Sequence, residues 1–111
     1  MYVFAKTATG WKQAKEFKGS DTVAGDFFGF SVAISGTTAI VGAQSHANGA
    51  GRAYVFTKTA TGWKQTGEPK GSDTVAFADY FGVSVAVSGT TAIVGAWGHA
   101  SNAGRAYLFE A

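Results

Sequence analysis

The side chains best equipped for chemistry in this 111-residue sequence recur after one long interval, His46 and His99, Arg52 and Arg105, Gln44 and Trp97, with Asn48 and Asn102 one residue out of step. A histidine can ligate a metal or move a proton near neutral pH, and an arginine can grip a carboxylate or sulfate through two parallel N–H bonds. Neither histidine has a second histidine or a carboxylate at ligand spacing in its Gly-, Ala- and Asn-rich loop, so both are expected to be solvated and no metal site is expected. Arg52 and Arg105 are expected to bridge to Asp26 and Asp79, with recognition of an anionic ligand as the alternative. Trp97 breaks the pairing by standing where the other copy has Gln44. Packing between neighbouring sheets is the expectation for it, and an exposed platform for sugar rings or partner side chains is the alternative. No Ser, His and Asp grouping, close carboxylate pair or phosphate loop accompanies these residues, so neither a catalytic residue nor a cofactor is expected.

The pairing reflects a repeat that fills the chain. Trp11-Lys12-Gln13 returns as Trp63-Lys64-Gln65, and the run beginning Gly19-Ser20-Asp21 returns from Gly71. Phe28-Gly29 matches Phe81-Gly82, and Ser31 to Ala43 matches Ser84 to Ala96 with only Ile34 replaced by Val87. Gly51-Arg52-Ala53-Tyr54 recurs as Gly104-Arg105-Ala106-Tyr107.

Composition says what kind of unit repeats. With 46% hydrophobic and 14% charged residues the chain suits a packed protein, and 16 glycines beside nine phenylalanines and one proline suit short strands and tight turns. Four strand-like runs fall in one period: Phe28 to Ser35, Thr38 to Ala43, Arg52 to Thr57, and Trp63 to about Lys70. The first alternates Val32 and Ile34 with Ser31, Ala33 and Ser35, the second is apolar on both faces, and the fourth carries Lys64, Gln65, Glu68 and Lys70. The expected fold is all-β, with two four-stranded antiparallel propeller blades per chain. The copies are offset: residues 1–18 read as strands three and four, 28–70 as a complete blade, and 80–111 as strands one to three.

Small net charge and absent cysteine narrow the partners. The charge of +2 gives no basis for a nucleic acid partner, since Lys12, Lys15, Lys18, Lys64 and Lys70 fall mostly on strand four and read as a solvent-facing rim. No apolar run approaches the ~20 residues of a membrane helix, so membrane insertion is not expected, and no leader pattern opens the sequence. The incomplete blades complement each other, so the expected partner is a second copy of the chain, exchanging outer strands to close a ring. A homotrimer with six blades is favoured over a homotetramer with eight. Because Tyr2-Val3-Phe4 and Tyr107-Leu108-Phe109 are one strand twice over, the amino-terminal hairpin is expected to dock as a unit and displace the carboxyl-terminal strand.

Phe28-Gly29 with Gly42-Ala43, and Phe81-Gly82 with Gly95-Ala96, resemble the paired motif of FG-GAP repeats, found in integrin alpha-subunit propellers and bacterial surface proteins. The resemblance spans nearly the whole chain and implies a propeller fold, a secreted or cell-surface setting, and adhesion- or lectin-like binding. Gln44 and Trp97 replace the proline that commonly follows Gly-Ala. Many such repeats bind calcium in an Asp-rich turn between strands one and two, but Ser35-Gly36-Thr37-Thr38 and Ser88-Gly89-Thr90-Thr91 hold no carboxylate, so that site is not carried over. The functional expectation is a self-assembling repeat unit, natural or designed, serving as a structural or binding scaffold without catalysis. The alternative is a module for a carbohydrate or surface protein, using the loops after strands two and four: Gln44, His46, Asn48 and Arg52, then Trp97, His99, Asn102 and Arg105.

Overall fold

The computed structural model describes residues 1–72 and 79–110. The described residues form nine strands: β1 Tyr2–Thr7, β2 Gly10–Glu16, β3 Ser31–Ser35, β4 Thr38–Ala43, β5 Arg52–Thr59, β6 Gly62–Gly67, β7 Ser84–Ser88, β8 Thr91–Ala96 and β9 Arg105–Glu110. They build three antiparallel sheets, β1-β2, then β3-β4-β5-β6, then β7-β8-β9, each in chain order.

Local chemistry accounts for the hairpins. Ser35 pairs with Thr38 and Ser88 with Thr91, so two-residue turns join β3 to β4 and β7 to β8, with Gly36 and Gly89 in the left-handed region. Thr7 Oγ1 donates to the Gly10 carbonyl at 2.8 Å and Thr59 Oγ1 to that of Gly62 at 2.8 Å, so both Thr-x-Thr-Gly turns close alike. The register slips at the same place in both hairpins, between Val3 and Phe4 and between Val55 and Phe56.

Three boundaries differ from the sequence expectation. The first strand begins at Ser31 rather than Phe28, because a turn closed by the Phe30 N–H on the Phe27 carbonyl at 3.0 Å, with Phe27 and Gly29 at positive φ, takes up those residues. The third runs on to Thr59. The fourth stops at Gly67, two residues before Pro69, which has no N–H for a ladder; the Pro69 carbonyl instead accepts the Ala53 N–H at 3.1 Å. The polar connection after β4 is a tight turn rather than an open loop, with Ala47 and Asn48 left-handed, and Ala100 and Ser101 repeat it after β8.

The sheets stack face to face. Ile40 and Ala53 pack with Phe81, Ala92, Val94 and Ala96 between the middle and third sheets. Ala39, Val41, Ala43, Tyr54 and Phe56 form a second core with Met1, Phe17, Phe28 and Trp63 towards the β1-β2 hairpin. β4 is thus buried on both faces, which is why its sequence is continuously apolar rather than alternating. Phe17 stacks on Phe56 with ring centroids 4.3 Å apart, and reciprocal bonds between Met1 and Phe17 hold the mouth of the hairpin against that core.

Candidate functional site

Two arrangements stand out: a polar cluster at one end of the sheets, whose inner pair occurs in both copies, and a seam between the middle and third sheets. The cluster begins with the turn after β4, which folds His46 back so that its Nδ1 lies 2.7 Å from Asp26 Oδ2. Asp26 is buried, and its carboxylate also accepts the Val23 N–H at 3.1 Å, while its carbonyl accepts the Ser45 N–H at 3.1 Å. The far side of the imidazole faces Asp21, with Nε2 to Oδ2 at 3.7 Å. Tyr54, from β5, donates its hydroxyl to Asp21 Oδ1 at 2.6 Å, and Arg52 Nη1 donates to Glu68 Oε2 at 3.1 Å. The second copy repeats the inner pair, His99 Nδ1 lying 2.9 Å from Asp79 Oδ2.

These contacts set the charges. The Tyr54 hydroxyl holds the Asp21 carboxyl below its ordinary value, with lesser help from Glu68 and His46. Burial raises the Glu68 carboxyl, and its bond to Asp21 raises it further, against the pull of Arg52. Burial and then Asp21 push the Tyr54 phenol far up, so it remains a donor throughout the working pH range. Ligating atoms of Asp21, His46 and Glu68 lie within 4.8 Å of one another, a donor set that suits a divalent cation. Tyr54 and Arg52 already serve the two carboxylates, and Asp26 orients the imidazole.

The expected solvated histidines are therefore corrected. His46 and His99 are largely buried and bonded to carboxylates 20 residues earlier, outside the loop in which ligand spacing was sought. The expected Arg52–Asp26 bridge is corrected too: Asp26 is taken by His46, and Arg52 pairs with Glu68. Arg105 is exposed, and Asp79 is bonded to His99. Asn48 and Asn102 are exposed in left-handed turns, and Gln44 is half-buried with an unbonded Oε1. Trp97 is 52% exposed, with its ring 5.2 Å from that of Tyr80 and tilted to it. Tyr80 N–H donates to the Gly49 carbonyl at 2.8 Å, so Trp97 is tied through Tyr80 to the turn after β4. Asp73, the repeat counterpart of Asp21, lies outside the described residues. Glu68 and Tyr54 were missed as cluster members; the available signal was that Tyr54 is a polar-tipped residue on a well-packed strand and that Glu68 stands just past the end of β6, beside Pro69.

The seam explains the glycines. Phe81 forms a parallel bridge with Gly51, its N–H donating to the Ala50 carbonyl at 3.1 Å, and Ser31 Oγ donates to the Gly82 carbonyl at 2.7 Å. A methyl at Gly42 would overlap the Gly82 carbonyl, and one at Gly51 would overlap the Phe81 backbone. Only glycine lets the two main chains come this close. The Phe81 ring is fully buried, edge-on to Tyr107 at 5.4 Å and Phe109 at 5.9 Å, and the Gly82 N–H donates to Gly95 of its own sheet at 3.0 Å. At the other end of the seam the Gly89 N–H meets Ser35 Oγ at 3.3 Å. Within its own sheet Phe28-Gly29 does the same, edge-on to Tyr54 at 5.4 Å and with the Gly29 N–H on the Gly42 carbonyl at 3.1 Å.

Fold and seam together define a protein of antiparallel meander repeats that stack on their own kind through a Phe-Gly step. The family described as FG-GAP repeat matches residues 11–56 and again residues 63–109, and the chain belongs to it. Its repeats are generally structural or binding elements of β-propellers and not catalytic. Among curated proteins none matches the chain.

Proposed function

We propose that this chain is a self-assembling β-propeller unit, a structural or binding scaffold without catalysis, whose partner is a second copy of itself. One comparison carries the reading. In the middle sheet Ile40 and Ala53 are fully buried, whereas their counterparts in the third sheet, Ile93 and Ala106, are exposed, Ile93 at 41%. The hairpin β1-β2 corresponds to strands three and four of such a sheet, and β7-β8-β9 to strands one to three. Residues 1–18 of one copy and 80–111 of another then share a blade, beside the complete blade of residues 28–70. Contiguous apolar sheet faces are usually covered in a stable protein, and mating them removes sheet edges as well. β1 and β9 compete for one place in the shared blade, which β9 holds within a single chain through its ladder with β8. Three copies give six blades, in preference to four copies and eight. Light-scattering mass over a range of concentrations tests the reading: a three-chain mass is expected, and a folded single chain at every concentration overturns it.

Trp97 favours a second reading, a module for glycans or a surface protein. Its indole is half exposed above Tyr80, on the side of the sheets that also carries Asn102 and Arg105, an arrangement suited to stacking on a sugar ring. A glycan array with Trp97→Ala as control tests it, binding by the parent chain and loss in the variant being the expected result.

A further inference from the structure

Granting self-association, the surfaces that meet can be named. We propose that Phe28-Gly29 of one copy seats against Gly95 and Gly104 of a second copy, remaking head to tail the seam that Phe81-Gly82 makes with Gly42 and Gly51 inside each chain.

The socket is built but open. Its counterpart is filled so closely that a methyl at Gly42 or Gly51 would strike the Phe81-Gly82 backbone. At Gly95 a methyl would meet only Ser84 of the same sheet, and at Gly104 nothing nearer than the Trp97 carbonyl at 3.5 Å. Ser84, exposed, corresponds to Ser31, whose hydroxyl binds the Gly82 carbonyl. Ser84, Ala86, Ile93, Gly95 and Ala106 line a shallow hollow of about 200 Å³. The matching surface of the middle sheet holds Ile40 and Ala53 at 0% exposure.

The knob is equally ready. A methyl at Gly29 would meet nothing within 4 Å, and Phe27 and Phe30 on either side of the motif are exposed. Val32 and Ile34 of β3 are 55% and 57% exposed, whereas Val85 and Val87, their counterparts on β7, pack on the core around Ile40 and Ala53. Each bare surface therefore matches a surface already mated once in the same chain, and the mate of each is found on the chain itself. On this reading the occupant is a second copy. The contact is heterologous, using different patches on the two copies, so repetition turns the same way at every step and closes a ring when the rotation permits.

Two single substitutions at exposed positions test the seam, Ala86→Lys on the socket and Val32→Lys on the knob, with circular dichroism to check the strands. Light-scattering mass should fall to one chain for each variant alone. An equimolar mixture retains one working knob and one working socket, so it should give a two-chain mass and nothing larger. Should either variant lose its strand signal, Ser84→Lys or Ile34→Lys replaces it on the same surface. Variants that assemble like the parent overturn this seam while leaving self-association standing, and so does a mixture that stays at single-chain mass. A parent chain that never exceeds one chain overturns both.

Discussion

The Ser31 hydroxyl reaches across the seam to the Gly82 carbonyl at 2.7 Å, joining two residues 51 positions apart and marking where two repeats become one structure. Beneath that bond Gly42 leaves no room for a side chain. Gly42→Ala should therefore cost about 2–3 kcal/mol, because backbone on both sides cannot give way, while Ser31→Ala should cost about 1 kcal/mol, the usual net worth of one hydrogen bond. Urea unfolding measures both. A Gly42→Ala chain as stable as the parent would contradict the close approach.

Tyr54→Phe removes the donor that does most to hold the Asp21 carboxyl down. The Asp21 pKa should rise towards its ordinary value in a carboxyl NMR titration, with a stability loss of about 1 kcal/mol at neutral pH. An unmoved Asp21 titration would assign the effect to another neighbour.

Asp21 and Glu68 oppose each other as pH changes. Asp21 is lowered from 3.8, so its contribution is present above that pH and is lost as pH falls through the lowered value. Glu68 is raised from 4.5, so its contribution is present below that pH and is lost as pH rises through the raised value. The windows do not overlap: as pH falls, Glu68 adds stability down to 4.5 and Asp21 loses it below 3.8. Glu68→Gln should therefore abolish the gain in stability as pH falls towards about 4.5, measured by urea midpoints at each pH. A gain that survives in the variant would assign it to another group.

Trp97→Ala distinguishes a ligand platform from a packing residue. A half-exposed indole resting on one ring should cost less than about 1 kcal/mol when truncated, against about 3–5 kcal/mol for a buried one. Thermal unfolding reads the difference. A large loss would show that the side chain is structural.

Much of the fold was legible because short-range patterns encode it. The alternation of Val32 and Ile34, the glycine turns and the unbroken apolar run of Thr38 to Ala43 led to antiparallel strands, and β3 and β4 are found there. The repeat led to the FG-GAP family, which matches both copies. The candidate site was legible in part. His46 and Arg52 were marked, but His46 was expected to be solvated and Arg52 to bridge Asp26, whereas the left-handed Ala47 and Asn48 turn the imidazole back onto Asp26. Alanine rarely adopts that conformation, so nothing local announced it.

By itself the sequence determined the period, the strands and the family, since each rests on side-chain spacing that the backbone must follow. Only the tertiary structure decided that Gly42 and Gly51 are contact points rather than turn residues, that Glu68 and not Asp26 receives Arg52, and that Trp97 leans on Tyr80. These relationships join segments whose approach depends on how whole sheets stack. A glycine is silent about which backbone will come close to it until that backbone is in place.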